Sequence, residues 1–347
     1  SNTVPDNFGE FNQPFGKLGQ DEPSIIPGLF AIYKQKKWAG FFSFTIPAGG
    51  GELDYQDGGA RNVTQADTFA SLLNSFGLNY DSLSSQNIKV KESSVYGLTL
   101  GGSFAFNEMW SIAAGVRYAT GTRAFEGSFT ISDETTPAAD QTEDLDLEED
   151  ADGWAGILGV NFAPNDKINT ALTFISNTKM EYEMTVKQDS LGLGGAAGFI
   201  DGSKRRIDIP ALLGFGISYK FLPQLKVDFN AVYYFEKSAE IDTFTDEGDS
   251  YDLGLAAEYA FSPNWKASIG YLHTKINIDD NQQINEPEEP KLSANTLGAG
   301  GVWSPTPSWA VTFGGAYVMY DDVTDSMGIK YEKAVWNISA GLQWKFL

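Results

Sequence analysis

The chain of 347 residues has a formal net charge of -22 and a sequence pI near 4.3, which excludes nucleic acid as a partner. It has no cysteine, which excludes a disulfide framework, a thiolate metal site and a thiol nucleophile. Aromatic residues make up 14% of the chain, too many for an acidic disordered protein. No apolar run approaches the roughly 20 residues of a membrane-spanning helix, so any membrane role must come from strands.

The first part of the chain predicts one hairpin followed by a long outer segment. Residues 1–23 are polar and contain Pro and Gly, which indicates a loop. Strands are predicted over 24–34 and 38–46, with a short turn between them. Residues 49–93 predict a long extracellular loop, in which apolar residues at helical spacing over 66–76 indicate a short helix.

The rest of the chain predicts hairpins in which short turns alternate with longer, more polar loops. The strands are expected over residues 94–106, 110–131, 153–163, 168–187, 207–221, 226–241, 250–261, 265–278, 294–303, 308–320 and 334–347. Short turns on one side and long loops on the other are typical of an outer-membrane barrel. We therefore predict an all-β fold, a single transmembrane antiparallel β-barrel domain over residues 1–347.

The last strand indicates what its two faces contact. One face is apolar and the other mostly polar, as expected for a strand between lipid and a lumen, although a soluble sandwich could form the same strand. The apolar face consists of Trp336, Ile338, Ala340, Leu342, Trp344 and Phe346. The spacing of Ser339, Gly341, Trp344 and Phe346 also resembles the C-terminal assembly signal of bacterial outer-membrane barrels, with Leu347 as one extra residue. The barrel-assembly machinery is therefore an expected partner.

Four tryptophans, Trp38, Trp110, Trp265 and Trp309, each stand just after a short turn. This placement predicts an interfacial ring of Trp at one membrane boundary. The alternative is a soluble β-rich protein with Trp in its core. The ring places the protein in the bacterial outer membrane.

Strand parity gives a further expectation. The prediction contains 13 strands, and both the first and the last run toward the periplasm. Bacterial single-chain barrels are antiparallel and even-numbered. We therefore expect a 14-stranded type with 13 strands visible, the absent upward strand lying before Ser1. The alternative is a miscount within residues 49–92.

Several segments resemble the FadL/TodX family of transporters of hydrophobic compounds. They are Ile25–Phe30 before a Trp-led strand, residues 152–160, Ile209-Pro210-Ala211, and residues 251–255. The resemblance implies a 14-stranded barrel plugged by an N-terminal hatch; the hatch and the first strand are expected to be absent here. It also implies diffusion of hydrophobic molecules through the outer membrane without a cofactor.

The lumen face is not uniformly polar, and an apolar patch inside a barrel would suit a hydrophobic ligand. The tentative ligand-binding residues are Ile157, Ile175, Leu212, Val232, Tyr234, Leu272 and Val318. Packing against a plug is the alternative explanation for these residues.

A lateral opening is predicted where Pro47, Gly49, Gly50 and Gly51 end the second strand. Proline supplies no N–H and glycine tolerates unusual dihedral angles, so the ladder of hydrogen bonds can break there. In the FadL/TodX family the corresponding strand carries an inward kink that opens the wall. An ordinary end of a strand is the alternative.

Enzymatic and metal chemistry are not expected. His273 is the only histidine and is predicted to lie at the outer end of a strand as a boundary polar residue. The acidic run over 133–150 offers a weak Ca2+ candidate, Asp144, Asp146, Glu148 and Asp150, because hard cations take clustered carboxylates. A solvated acidic loop is the alternative.

We thus expect an outer-membrane channel for long-chain fatty acids or other hydrophobic small molecules, with lateral exit into the lipid. A FadL-fold partner or carrier protein of a secretion system, in contact with a secretion complex, is one alternative. A general porin is the other.

Overall fold

The computed structural model describes residues 1–6, 8–11, 13–19, 24–49, 52–133, 140–196, 198–242, 248–278 and 290–346. Gly50 and Gly51 of the predicted lateral opening, residues 20–23 of the predicted first loop, and Leu347 lie outside the described residues. No helix in the described residues is long and apolar enough to cross a membrane.

The chain is built mainly of strands. The strands are β1 Asn2–Val4, β2 Gly16–Leu18, β3 Leu29–Gln35, β4 Trp38–Gly49, β5 Leu53–Tyr55, β6 Ser82–Ala105, β7 Trp110–Ser132, β8 Gln141–Phe162, β9 Ile168–Ile175, β10 Glu181–Asp189, β11 Lys204–Arg206, β12 Ala211–Lys220, β13 Leu225–Phe235, β14 Ser250–Ser262, β15 Trp265–Lys275, β16 Ala294–Thr306, β17 Trp309–Tyr320, β18 Val323–Thr324, β19 Lys330–Tyr331 and β20 Ala334–Trp344. The helices are α1 Ala60–Ser75, α2 Leu193–Ala196 and a 3-10 turn at Glu236–Ser238.

A single antiparallel sheet forms the wall. Its path of 13 strands runs β20-β17-β16-β15-β14-β13-β12-β9-β8-β7-β6-β4-β3 through the described residues. The predicted antiparallel sheet is confirmed, and a path of 13 strands agrees with the expected number visible; the 14-stranded type stays a prediction. β3 and β20 are the two ends of this path, and no pairing within the described part of the chain joins them.

Two faces of the wall differ in the way the sequence predicts. In each strand of the path from β6 to β20, large apolar side chains of one parity are exposed outside, where lipid would contact them. Examples are Leu100, Ile112, Leu158, Leu172, Leu213, Phe229, Leu255, Ile269, Leu297, Phe313 and Ile338. The opposite parity carries small or polar residues over much of the membrane height and faces the lumen.

Aromatic pairs mark both membrane boundaries. The lower ring contains the pairs Trp38–Phe104, Trp110–Phe162, Trp265–Trp303 and Trp309–Trp344. The upper ring contains the pairs Tyr118–Trp154, Tyr233–Phe235, Tyr251–His273 and Tyr317–Trp336. Eight residues, or about 27 Å along the strand, separate the two levels, so nine residues span them, which agrees with the roughly 9–11 residues of a tilted membrane strand. The predicted Trp ring and the boundary position of His273 are confirmed.

Three strands continue far above the upper ring. β6, β7 and β8 contain 24, 23 and 22 residues, whereas about 9–11 suffice to cross a membrane. The prediction of a loop over 49–93 was therefore wrong in part, since this range contains β5, α1 and the start of β6. The helix begins at Ala60 rather than at residue 66.

The acidic loop predicted over 133–150 was also wrong from Gln141 onward, because β8 begins there. Leu145 and Leu147 are buried and alternate with acidic residues of the other face. With a period of two, the apolar residues are buried and the acidic residues face water, so this segment forms a strand outside the membrane. The many acidic residues of this segment led to the prediction of a loop.

An outer cap sits on this extension. We use this name for the small sheet β18-β19-β1-β2 together with α1. Its buried core includes Val4, Phe11, Leu18, Val63, Ala66, Phe129, Ile131, Ile329 and Tyr331. The prediction of a loop over 1–23 was wrong for β1 and β2, whose apolar residues pack into this core.

The facing of β9 gives a first prediction. Leu172 points outside near the middle of the membrane and Thr173 points into the lumen. Leu172→Arg should lower the yield of folded barrel, because an Arg at mid-membrane on the lipid face costs about 2–4 kcal/mol. Thr173→Arg should assemble better. Equal yields of the heat-modifiable folded band in membranes would contradict this assignment.

Candidate functional site

Part of the predicted lumen patch is continuous. Ile157 of β8 pairs with Ile175 of β9, Ile175 pairs with Leu212 of β12, and Leu212 pairs with Tyr234 of β13. Val232 lies one pleat below Tyr234 on the same face. We call these five residues the lumen patch. They form an apolar surface across four neighbouring strands.

The other two predicted residues lie apart from this patch. Leu272 and Val318 both pair with Thr296, so a polar residue separates them. A hydrogen-bonded group then divides them from Tyr234. The Tyr234 hydroxyl donates to Asp252 Oδ2 over 2.9 Å, and the Thr274 hydroxyl donates to Asp252 Oδ1 over 2.6 Å. The sequence therefore grouped seven residues that the fold divides into two sets.

The wall between β8 and β9 is interrupted above the patch. The pairing of Ile175 with Ile157 is followed by a gap, and pairing resumes where Glu183 faces Asp150. The β9–β10 side has one residue more than the β8 side across this gap. Because side chains alternate along a strand, the extra residue reverses the facing of β10.

This reversal corrects the prediction of one strand over 168–187. Unbroken alternation over 168–187 would place Met180, Tyr182, Met184 and Val186 on the same lipid face as Leu172 and Phe174. Met180, Tyr182 and Met184 are instead buried inside. The neighbouring carboxylates of Glu181 and Glu183, which the pattern assigned to the lumen, ion-pair with Lys204 and are exposed. A single inserted residue leaves no signal in the composition of the segment.

Residues 176–180, which we call the inner strap, fill the inside of this gap. Thr178 is fully buried and exchanges two backbone hydrogen bonds with Ile209, of 2.9 and 3.0 Å. The strap lies directly against the lumen face of β8 at Gly153, where an added Cβ would overlap the carbonyl oxygen of Lys179. Asp208 holds the strap by accepting from Asn177 Nδ2 over 2.7 Å and from the Met180 N–H over 3.1 Å.

Arg117 lies beneath the strap and was not predicted. It is on the lumen-facing parity of β7 and is 8% exposed. Its Nη2 donates to the Thr178 hydroxyl over 3.2 Å, while its buried Nε has no hydrogen-bond partner. No acidic side chain forms an ion pair with it in the described part of the chain. The available signal was an Arg whose neighbours of the same parity, Gly115 and Ala119, are small.

Arg123, three pleats above Arg117 on the same face of β7, has a different environment. It lies 4.0 Å from a carboxylate oxygen of Glu149, to which Arg205 donates through both its Nε and its Nη2. Its charge is therefore compensated, whereas the Thr178 hydroxyl is the only side-chain partner of Arg117 within the described residues. Arg117 therefore differs from Arg123 in that no acidic side chain among the described residues balances its buried charge.

The predicted lateral opening contains a β-bulge. Thr45 of β4 pairs with Gly97 and Ala48 with Val95, so β4 has one extra residue around Pro47. The strand does not end there, since Gly49, with φ of 79°, still faces Ser94. On the other side, the pairing with β3 stops at Phe44, so residues 45–49 have no strand partner there within the described residues.

The bulge and Arg117 lie close together. A Cβ added at Gly97 would be 3.2 Å from Cδ of Pro47 and 3.3 Å from Cδ of Arg117. The inner strap contacts Arg117 from the opposite side. We call this level of the lumen the neck; it lies at the height of the upper aromatic ring.

The structure does not bring the four Ca2+ candidates together. Asp144, Asp146, Glu148 and Asp150 follow one another along one face of β8, and Glu148 forms an ion pair with Lys187. Asp150 accepts from the Thr122 hydroxyl over 2.7 Å. Within the described residues, no group of three or more His, Cys, Asp or Glu could hold a metal ion.

The close contact at Gly153 gives a second prediction. Gly153→Ala should displace the strap and cost about 1–3 kcal/mol of stability, as overpacking does. Gly156→Ala is the matched control on the same strand, because its Cβ would have Ser176 Oγ at 3.9 Å as nearest neighbour. The thermal midpoint of the folded band measures both. A Gly153→Ala midpoint equal to that of Gly156→Ala would contradict the packing of the strap.

Comparison with known proteins identifies the fold. No curated protein sequence matches the chain. The structure is similar to a Pseudomonas aeruginosa FadL homologue, with a TM-score of 0.61, 14% identity, and coverage of 92% of this chain and 76% of that one. It is also similar to the Pseudomonas putida toluene transporter TodX, with a TM-score of 0.59, 11% identity, and coverage of 92% and 82%. For the monoaromatic hydrocarbon channel CymD the values are 0.54, 12%, 95% and 85%.

A family model decides the assignment. The model described as outer membrane protein transport protein (OMPP1/FadL/TodX) matches residues 73–340, which is most of the chain. The resemblance found in the sequence is thereby confirmed, as is the location in the bacterial outer membrane. The chain belongs to the OMPP1/FadL/TodX family of outer-membrane transport proteins.

Proposed function

We propose that this protein is a diffusion channel for hydrophobic molecules that carry a carboxylate, with long-chain fatty acids as the ligand class. The observation that carries the proposal is the buried Arg117 guanidinium. It lies beside an apolar surface and has no acidic partner within the described residues. Arg117 of β7 is paired with Ala155 of the neighbouring strand β8. Ile157, which belongs to the lumen patch, is the next residue of β8 on the same face. A positive group and an apolar surface are thus adjacent.

The physical argument rests on the cost of burying charge. A buried charge without a partner is unfavourable, and a carboxylate relieves that cost. The guanidinium group is planar and presents a fork of donors that matches a carboxylate. The alkyl chain of a fatty acid would then lie on the lumen patch, whose residues would remove it from water. A neutral hydrocarbon would leave the guanidinium unpaired.

Lateral exit into the membrane is the second part of the proposal. A hydrophobic molecule gains nothing by entering periplasmic water when lipid is adjacent. The bulge at Pro47 and the unpaired edge of β4 over residues 45–49 lie beside Arg117 and support an opening of the wall at this level. Gly49 gives the chain a left-handed conformation that other residues rarely adopt.

A general porin is less well supported, because the inner strap and Met180 occupy the lumen at the neck. A role as secretion partner would use the surface of the outer cap and the long β6–β8 sheet. Co-purification with a large secretion complex would favour that alternative.

The third prediction tests Arg117. Arg117→Met should weaken binding of a fatty acid by about 10- to 150-fold, since a hydrogen bond to a charged group contributes about 1.5–3 kcal/mol. Binding of the alcohol of the same chain length should change little. Arg123→Met is the matched control on the same strand and face, and should retain the affinity of the wild type. Calorimetry on detergent-solubilised protein measures all three.

The outcomes test the role of Arg117 and the hydrophobic channel separately. An equal loss for acid and alcohol would mean that Arg117 supports the strap without contacting the ligand. If the wild type binds neither molecule, the hydrophobic channel itself is contradicted.

The fourth prediction tests lateral exit. Deletion of Ile46 together with Pro47→Val removes the extra residue and restores the missing N–H, so uptake of fatty acid by cells should fall sharply. The matched control is β16, where Pro305 lies in a second register shift, between Trp303 and Thr306 at the periplasmic end. Deletion of Ser304 with Pro305→Val should leave uptake unchanged. Undiminished uptake in a correctly assembled Pro47 variant would argue against exit through the wall.

A further inference from the structure

The inner strap covers Arg117 on the extracellular side. Met180, the last residue of the strap, is fully buried, and Tyr182 is buried just above it. Both pack against residues on the lumen-facing parity of β6, β7 and β8, namely Val95, Ala119 and Ala151. Arg117 is one pleat below this cluster on β7 and is 8% exposed. A ligand carboxylate therefore reaches the guanidinium only when the strap has moved.

The inner strap has few backbone bonds to β8. The ladder between β8 and β9 ends at Ile175, and the Ser176 N–H then donates to the Gly156 carbonyl oxygen over 2.9 Å. From there up to Glu183 the described backbone has no ladder with β8. A segment with so few backbone bonds to its neighbour separates from it at a lower free energy than a strand of the wall does.

Thr178 ties the strap to the wall through Arg117. Arg117 Nη2 donates to the fully buried Thr178 hydroxyl over 3.2 Å, while Nε has no partner in the described part of the chain. Nε and Nη2 together form the fork that Arg205 presents to the Glu149 carboxylate elsewhere in this chain. A ligand carboxylate on the same fork of Arg117 takes Nη2 away from Thr178.

We propose that Thr178 makes passage through the neck specific for carboxylates, an inference that rests on the proposed function of Arg117. When the strap opens transiently, the guanidinium leaves the Thr178 hydroxyl and becomes accessible. A carboxylate is the stronger acceptor because it is charged, so it binds the open state and keeps the strap open while it is bound. An alcohol or hydrocarbon of the same length leaves the strap closed, even when it occupies the lumen patch.

A single thiol beneath the strap reports its opening, because the chain has no cysteine of its own. Ala151→Cys places this thiol in the buried cluster, two pleats above the partner of Arg117 on β8. In purified protein, a fatty acid at a hundred times its dissociation constant should speed alkylation by iodoacetamide at least about 10-fold, because a minor state of up to about 10% becomes the main one. The alcohol of the same length, at the same occupancy, should leave the rate unchanged.

Thr178→Val in the same background removes the hydroxyl and nearly keeps the volume. Without ligand it should speed alkylation about 10-fold, and it should tighten binding of the acid by a similar factor, because the strap no longer competes for the guanidinium. The comparison of acid with alcohol needs no change in the strap, so it decides the inference even if Thr178→Val does not fold.

Thr296→Val is the matched control, since Thr296 is a lumen-facing threonine on β16, away from the strap. It should change neither the alkylation rate nor the affinity for the acid. Weaker binding of the acid by Thr178→Val would mean that Thr178 positions Arg117 for the ligand, and would overturn the inference. Acid that binds through Arg117 without speeding alkylation would overturn it too, while the proposed function would stand. Absence of acid binding to the wild type would overturn both.

Discussion

The need to pair every backbone N–H and C=O group within lipid governs this structure. Lipid offers no hydrogen bonds, so membrane-crossing strands must satisfy one another along their whole length. The wall follows this rule through its antiparallel ladders between neighbouring strands. In the membrane-crossing part the irregularities lie at its two ends. The register shifts of β14 and β16 are at short periplasmic turns, whereas the bulge at Pro47 and the gap beside the inner strap are at the height of the upper ring. Water becomes available there, which lowers the cost of an irregular backbone.

Each irregularity has a local compensation. The strap leaves β8 after Ser176, whose N–H still donates to the Gly156 carbonyl oxygen. Thr178 then pairs with Ile209, and Asp208 accepts from the Asn177 side chain and the Met180 N–H. The bulge keeps its ladder with β6 through Ala48 and Gly49. The neck is therefore a defined structure in which irregular backbone surrounds Arg117. On the proposed function, the polar neck above the apolar lumen patch would favour a ligand with one charged end and one apolar end.

Much of the membrane part can be predicted from sequence, because lipid imposes a strict period of two. The even-numbered residues of β20 correctly predicted which face of the strand is apolar. The tryptophans that follow the short turns correctly predicted the level of the lower aromatic ring. The predictions that were wrong concern features that leave no periodic signal in the sequence. One extra residue between Ile175 and Glu183 reversed the facing of β10, and no composition change accompanies it. The outer cap depends on contacts between the two ends of the chain, which local patterns do not encode.

The candidate site shows the same limit. The lumen parity of Ile157, Ile175 and Leu212 followed from alternation alone, whereas their separation from Leu272 depends on the polar group around Asp252. Arg117 was missed because its importance comes from the lack of an acidic partner within the described residues. Whether a charged residue has a partner is a property of the folded chain.

Strand β8 shows how one alternating pattern serves two solvents. Below the upper ring, its outward positions are apolar, and Trp154, Leu158 and Val160 are exposed on the face that contacts lipid. Above the ring the same parity carries only acidic residues, from Asp150 up to Asp144. The inward positions Ala155, Ala151, Leu147 and Leu145 are buried and small or apolar, and Glu149, which lies among them, is buried in an ion pair with Arg205. The strand thus keeps its inner face buried across the membrane boundary, while the outer face changes from lipid-compatible to water-compatible. Since only the outer face meets a new solvent, a change of chemistry on one parity alone locates the membrane surface along the strand.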